Sequence, residues 1–482
     1  MSKCKLLVLF LLISFWGGNA TLRASNLSSQ ATDRISKATS SPKTEKPDPE
    51  PQKKLKANVT DNTKAEYVNK SWWDKFHDPV LSGYIAKAVS ENQDLKIASL
   101  KVLESQETVN EYFGKEFPLV GLNLNYARAK TSDNLINSFS SAANTYTLPL
   151  NVNYELDLWR KNREKTIQTA KTLETVKYDE KASYISLTSA VASAYFNVLN
   201  VDRQLQLQKE IVNIRKSILE LTKNNYDYGL INATDVTQAD RLFTEAQSGL
   251  FDLQKQQSIL LNQLAILLGT TSDSSSSLKR SSIDDVELIK DLPLNIKSEV
   301  VQQRPDILKA EADLQKSKID IDLARKDFFP KITLSGVFGF NSSALSNVLT
   351  NGSNMASLGS GLANTLFSGG QRRARLKFQK YKYQELTENY HKTVLQSFKE
   401  VNDSLASLKS DTEKNNNNIS RIKSENDNLD IILNKYEKGA ISYLDTLQYR
   451  ERVLSLEEDQ IQSKTDCLID SLSFYKAVGG KL

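Results

Sequence analysis

The chain has 482 residues, 63 Lys and Arg, 58 Asp and Glu, a net charge of +5 and 39% hydrophobic residues. Charges of both signs are interspersed with no basic stripe, so composition excludes a nucleic-acid partner. Gly (18) and Pro (10) are few and cluster between long stretches that lack both, which favours long helices over a compact mixed domain.

Residues 1–20 read as a signal peptide. Lys3 and Lys5 form its positive end, Leu6 to Trp16 its apolar run, and Gly18-Asn19-Ala20 a small-residue cleavage site. The apolar run is too short to span a bilayer. Cys4 precedes that run, so it is not the cysteine of a lipoprotein box, and Cys467 is expected to pack as a small apolar residue. Residues 21–70 are rich in Ser, Thr, Lys, Asn and Pro and read as a flexible low-complexity tail.

Residues 71–269 form a first repeat. Trp72-Trp73 opens it, and Asp78-Pro79 leads into a helix that reaches about Lys115. After Phe117-Pro118 the period changes to two, with strands expected over about 119–127 and 145–157. In the second strand Tyr146, Leu148, Leu150, Val152 and Tyr154 alternate with polar residues, and Pro149 suggests an edge strand. From Arg160 to Tyr226 there is neither Gly nor Pro, and Leu207, Ile211, Ile214, Ile218 and Leu221 keep heptad spacing. A shorter helix follows to about Leu268, then a serine-rich linker over 270–293.

Residues 294–482 repeat that order. A helix from Pro305 ends at Phe328-Phe329-Pro330, strands follow over about 331–340 and 356–366, and a second Gly- and Pro-free run covers Gln371 to Tyr436. Val394, Phe398, Val401, Leu405 and Leu408 hold its heptads, and Asn415 to Asn418 form an expected weak point. The last helix runs from Leu444 to about Ala477. The internal duplication is mainly α, each half reading helix, strand, strand, long helix, turn, helix.

The two turns match at an offset of 210: Tyr226, Gly229, Leu230 against Tyr436, Gly439, Ala440. Each glycine can end a helix in the left-handed conformation. Asn232 and Ser442 are N-caps for the next helix, and Asp235 and Asp445 can reach back in capping boxes.

Four amphipathic strands of about ten residues suit a bilayer crossing. Four strands cannot close a barrel, and lipid tolerates no open edge, so at least two chains must share one. Twelve strands from three chains would enclose a water-filled lumen. Tyr126, Tyr146, Tyr154, Phe338 and Phe340 are candidates for an interfacial girdle. The same pattern also fits a soluble periplasmic coiled-coil scaffold with two small hairpins.

The chain further resembles the TolC-like outer-membrane efflux proteins, in the branch serving resistance-nodulation-division pumps. Several motifs carry that resemblance: Trp72-Trp73 with Asp78-Pro79, Arg304-Pro305-Asp306-Ile307, Phe328-Phe329-Pro330, and the junctions at Glu155 to Trp159 and Leu366 to Gly370. It implies a homotrimer in outer-membrane lipid, with a 12-stranded β-barrel and a periplasmic α-helical barrel. It also implies docking of the tips to a periplasmic adaptor that bridges to an inner-membrane pump. In this pattern Asp445 rings the periplasmic gate, Gln448 takes the second and normally acidic ring position, and Ile441 takes the place of the basic latch. The expected function is the exit duct of a tripartite efflux system, with the duct of a protein-secreting system as the alternative. His77 and His391 are far apart and no Cys/His cluster appears, so no catalytic site, metal or cofactor is expected.

Overall fold

The computed structural model describes residues 72–130, 142–289 and 301–480. The expected signal peptide and tail, residues 131–141 of the first strand-to-strand loop and the end of the linker lie outside the described residues. The helices are α1 (Pro79–Glu91), α2 (Gln93–Gly114), α3 (Lys161–Asp227), α4 (Ala233–Leu267), α5 (Pro305–Lys326), α6 (Gln371–Glu437) and α7 (Tyr443–Ala477). The strands are β1 (Leu119–Leu122), β2 (Asn125–Ala129), β3 (Ala143–Glu155), β4 (Lys331–Ser342) and β5 (Asn354–Ala363).

The duplication appears in matching helix lengths. Helices α3 and α6 have 67 residues each, α4 and α7 have 35, and α2 and α5 have 22. At ~1.5 Å per residue the long helices extend about 100 Å. Helix α3 lies against α2, α4, α5 and α7, while α6 lies against α5 and α7. Among the described residues no helix is long and apolar enough to cross a membrane.

The expected first helix is two, broken at Asn92. Its side chain accepts the Leu95 N–H at 3.1 Å as the cap of α2, while its Nδ2 donates to the Leu267 carbonyl at 3.1 Å. The serine-rich linker is tied down over its described part. Ile283 and Val286 are buried in the core. The Asp78 carboxylate that caps α1 also accepts from Tyr195 Oη at 2.8 Å and Ser281 Oγ at 2.5 Å. The asparagine run does not weaken α6 because α7 supplies partners. Ser463 Oγ donates to Asn415 Oδ1 at 3.3 Å, and Asn418 Nδ2 donates to Ser463 Oγ at 3.1 Å.

The largest core gathers where α1 and the C-terminal ends of α4 and α7 meet the middle of α3. Trp72 stacks on Tyr475 at 4.0 Å, and Phe76 meets Phe196 edge-on at 5.1 Å. Burying rings of this size supplies much of the packing energy. Close by, buried Arg304 pairs with Asp306 and Glu400 and donates to the Ala477 carbonyl at 2.7 Å, tying the start of α5 to α6 and the end of α7. Cys467 is buried, and that burial pushes its thiol up to about 11.

The sheet order is β1/β2, β3, β4, β5, all antiparallel. Strand β3 is therefore interior, contrary to the edge position that Pro149 suggested. Two features admit the proline there. Opposite it the first strand is split, with Asn123 N–H donating to the Pro149 carbonyl at 3.1 Å. On the other side its register partner is Gly339, where an added Cβ would lie 2.1 Å from the Leu148 carbonyl oxygen. Strand β5 ends at Ala363, short of the expected 366, and β3 ends at Glu155 because Asp157 turns to cap α3, accepting the Asn162 and Arg163 N–H groups.

Register partners share a face. One row holds Leu122, Leu150, Phe338 and Ala356, and the next holds Val120, Val152, Gly336 and Leu358. The intervening row holds Gly121, Asn151, Val337 and Ser357. One face is thus mainly apolar, and the other mainly small and polar, with Leu119, Val337 and Met355 its apolar exceptions. Tyr126 and Tyr146 pack at 4.9 Å at one end of the apolar face, with Tyr154 at the other.

Asp470 on α7 contributes a pH dependence. Burial, then hydrogen bonding and repulsion from Asp411, then repulsion from Asp466, raise its carboxyl to about 7. The folded state therefore holds a proton that the unfolded state releases near pH ~4, so this group's contribution to stability is lost as pH rises from ~4 to about 7 and is flat above that. Asp470→Asn is expected to raise the thermal midpoint at pH 8 more than at pH 5. An equal shift at both values would place the strain elsewhere.

Candidate functional site

The hairpin tips are built by two nearly superimposable backbone turns. At the end of α3, Gly229 (φ +71°) donates to the Tyr226 carbonyl at 2.8 Å, and Leu230 N–H donates to the Asn225 carbonyl at 2.9 Å. At the end of α6, Gly439 (φ +69°) donates to the Tyr436 carbonyl at 2.8 Å, and Ala440 to the Lys435 carbonyl at 2.9 Å. Both are Schellman motifs, which satisfy the last carbonyls of a helix and need a left-handed residue.

Each next helix starts in a capping box. Asp445 N–H donates to Ser442 Oγ at 3.1 Å, and Ser442 N–H donates back to Asp445 Oδ2 at 3.1 Å. At the first tip Asn232 N–H donates to Asp235 Oδ2 at 3.1 Å, and Asp235 N–H faces both the Asn232 side chain and its main-chain carbonyl. Asp445 is exposed, and Gln448 lies exposed one turn along the same helix face. Asp445 Oδ2 accepts both the Ser442 N–H and, at 2.7 Å, the Ser442 hydroxyl, and Oδ1 has no partner among the described residues. Ile441 is half-buried.

The tips differ in what they present. Tyr228 and Leu230 are 81% and 72% exposed, giving the first tip an apolar point. The second presents Lys438 and Ala440, and Tyr436 packs on Tyr443 at 5.5 Å.

A strap between the two hairpins went unread in the sequence. Arg215 on α3 bonds Glu451 on α7 at 2.6 Å and the Leu242 carbonyl on α4 at 2.8 Å, holding three helices at one level. Arg450 lies 3.8 Å from Glu210 beside it. A signal does exist. At the repeat offset, Arg215 corresponds to Glu425 and Arg241 to Glu451, so the two halves carry swapped charges at matching seats.

Paired helices of this length, continuous with an amphipathic sheet open at both edges among the described residues, suit a channel-type protein. The model of the outer membrane efflux protein family fits residues 84–270 and again 297–480, and the chain belongs to that family. The probable outer membrane lipoprotein SilC of Salmonella typhimurium is 26% identical over 423 residues, covering 86% of this chain and 88% of its own. The cation efflux system protein CusC of Escherichia coli (strain K12) is 26% identical over 430 residues, covering 88% and 92%. Among solved structures, the Campylobacter jejuni CmeC outer membrane channel matches with a TM-score of 0.79 at 24% identity, over 86% of this chain and 89% of that one. VceC of Vibrio cholerae matches with a TM-score of 0.75 at 22% identity, over 86% and 100%. At these identities the structures establish the fold.

No atom lies within 4 Å of a Cβ built on Gly439, so its replacement is opposed by backbone conformation alone. Gly439→Val forces a β-branched residue to positive φ. It is expected to abolish efflux while leaving membrane insertion intact, since the sheet is about 100 Å away. Normal efflux in a strain carrying Gly439→Val would show that the left-handed turn is not needed for transport.

Proposed function

We propose that the chain is the passive exit duct of a tripartite efflux assembly. Three copies close their sheets into one barrel whose lumen the helices extend through the periplasm. The tips meet a periplasmic adaptor, which bridges to an inner-membrane pump that supplies the energy. The duct itself performs no chemical step. The observation that carries this reading is the sheet, mainly apolar on one face, mainly polar on the other, and unpaired at both edges among the described residues of one chain. A soluble scaffold has no use for an apolar face of that extent, and lipid requires the edges to be paired.

The apolar face is tested by arginine. A cation facing mid-bilayer lipid costs ~2–4 kcal/mol, whereas the lumen face accepts it. Asn151→Arg is expected to yield normal amounts of SDS-resistant trimer, while Leu150→Arg and Val152→Arg yield little. Equal assembly of all three would withdraw the membrane assignment.

The gate assignment gives Asp445 two roles on separate oxygens, Oδ2 capping α7 and Oδ1 facing the opening. Three such carboxylates around one constriction attract cations and slow anions. Asp445→Ala should raise single-channel conductance or lower cation selectivity in planar bilayers, and weaken block by trivalent cations. Asp235→Ala loses a comparable cap, worth ~1 kcal/mol, and should leave conductance unchanged. Identical behaviour of the two variants would reduce Asp445 to a cap.

A further inference from the structure

The sheet meets the helices at a band of unlike chemistry from the sheet's other end. Residues Gln371 to Lys382, the first three turns of α6, contain six basic residues and no acidic one. The corresponding start of α3 adds Arg160, Lys161, Arg163 and Lys165 against one acid, Glu164. At the far end, the loop from Ser342 to Asn354 carries no charge at all.

Local acids neutralise only part of this band. Asp327 receives Lys161 at 2.6 Å and Arg375 at 3.3 Å, and Glu164 pairs with Lys326. The side chains of Arg160, Arg163, Arg373, Lys377 and Lys380 are exposed and have no partner among the described residues. Interleaved with them are exposed apolar groups. Leu366 and Phe367 are 95% and 88% exposed, and Phe378 follows on the first turns of α6. Trp159 stacks on Phe329 at 4.8 Å and donates its indole N–H to the Pro330 carbonyl at 2.8 Å, which fixes the ring at the start of β4. The apolar sheet face runs into this band through Ile332 and Leu362.

We infer that the strand-to-helix junctions form a collar that binds the headgroups of anionic phospholipids in the bilayer leaflet on the helical side. Aromatic rings seated at the polar boundary with unpaired arginine and lysine beside them are what such headgroups require. The basic groups meet the phosphates while Trp159, Leu366 and Phe367 enter the acyl boundary. Continuity with the lipid-facing sheet sets the depth, and the far end, where the described residues hold only Arg128 and Lys130 against ten basic residues at the junctions, makes the preference one-sided. The inference rests on the sheet being the bilayer-spanning part of the duct.

Trp159 is the reporter, because Trp72 and Trp73 are buried and Trp16 is removed as Trp16→Phe. The full chain is reconstituted into phosphatidylcholine vesicles containing phosphatidylglycerol, with bromine on the acyl chains of one lipid or the other at equal mole fraction. Brominated phosphatidylglycerol is expected to quench Trp159 more strongly, with a ratio above about five-fold that shrinks as salt is added. Replacing Arg373→Gln, Lys377→Gln and Lys380→Gln together should bring the ratio towards one. Equal quenching by both lipids in the unaltered chain overturns the collar. Loss of the preference on adding inorganic phosphate at constant ionic strength overturns it too, since the groups would then be reading a free anion. Quenching by neither lipid removes the membrane placement and the collar with it. If the triple variant does not insert, the unaltered chain and its salt dependence decide the matter alone.

Discussion

The outward-facing backbone groups along β1/β2 and β5 have no strand partner among the described residues of one chain, and hydrocarbon offers none. Each unsatisfied N–H or C=O there would cost several kcal/mol in lipid, so in the proposed duct the sheet is complete only beside another copy, and insertion and association become one event. The helices carry no such demand, because their hydrogen bonds close within each segment. They can be polar, long and exposed, and need only a heptad seam to hold them in pairs. The division of the chain into a small-residue sheet and charge-rich helices follows from where each part finds its hydrogen-bond partners.

The fold was legible wherever the signal is local. Runs without Gly or Pro marked α3 and α6, alternation marked β3, and the 210-residue echo gave the duplication. What was misread depended on a partner distant in the chain. Pro149 looked like an edge residue until Gly339 stood opposite it. Asn415 and Asn418 looked weak until Ser463 was placed between them. The serine-rich linker looked loose until Ser281 was found on Asp78 and Tyr195. Asn92 ended a helix because the carbonyl of Leu267 lay within reach.

The tips show the same split. Backbone conformation there follows from glycine and cap residues a few positions apart, and such turns announce themselves in any sequence. What the turns present does not. The aromatic point of the first tip, the free oxygen of Asp445 and the strap from Arg215 each involve groups whose meaning depends on what stands across from them. A turn can be read from its own residues, while a gate requires knowing the opposite wall.

The swapped charges at matching seats of the two repeats carry a consequence for ancestry and for symmetry. Two copies of the first hairpin side by side would set arginine against arginine, and two copies of the second glutamate against glutamate. Once Arg215 faced Glu451 while their counterparts became Glu425 and Arg241, neither hairpin could stand in for the other. Half-chains are thereby discouraged from assembling as a ring of six equal parts. Duplication supplied the second hairpin, and a few charge reversals then made the covalent pair the smallest interchangeable piece.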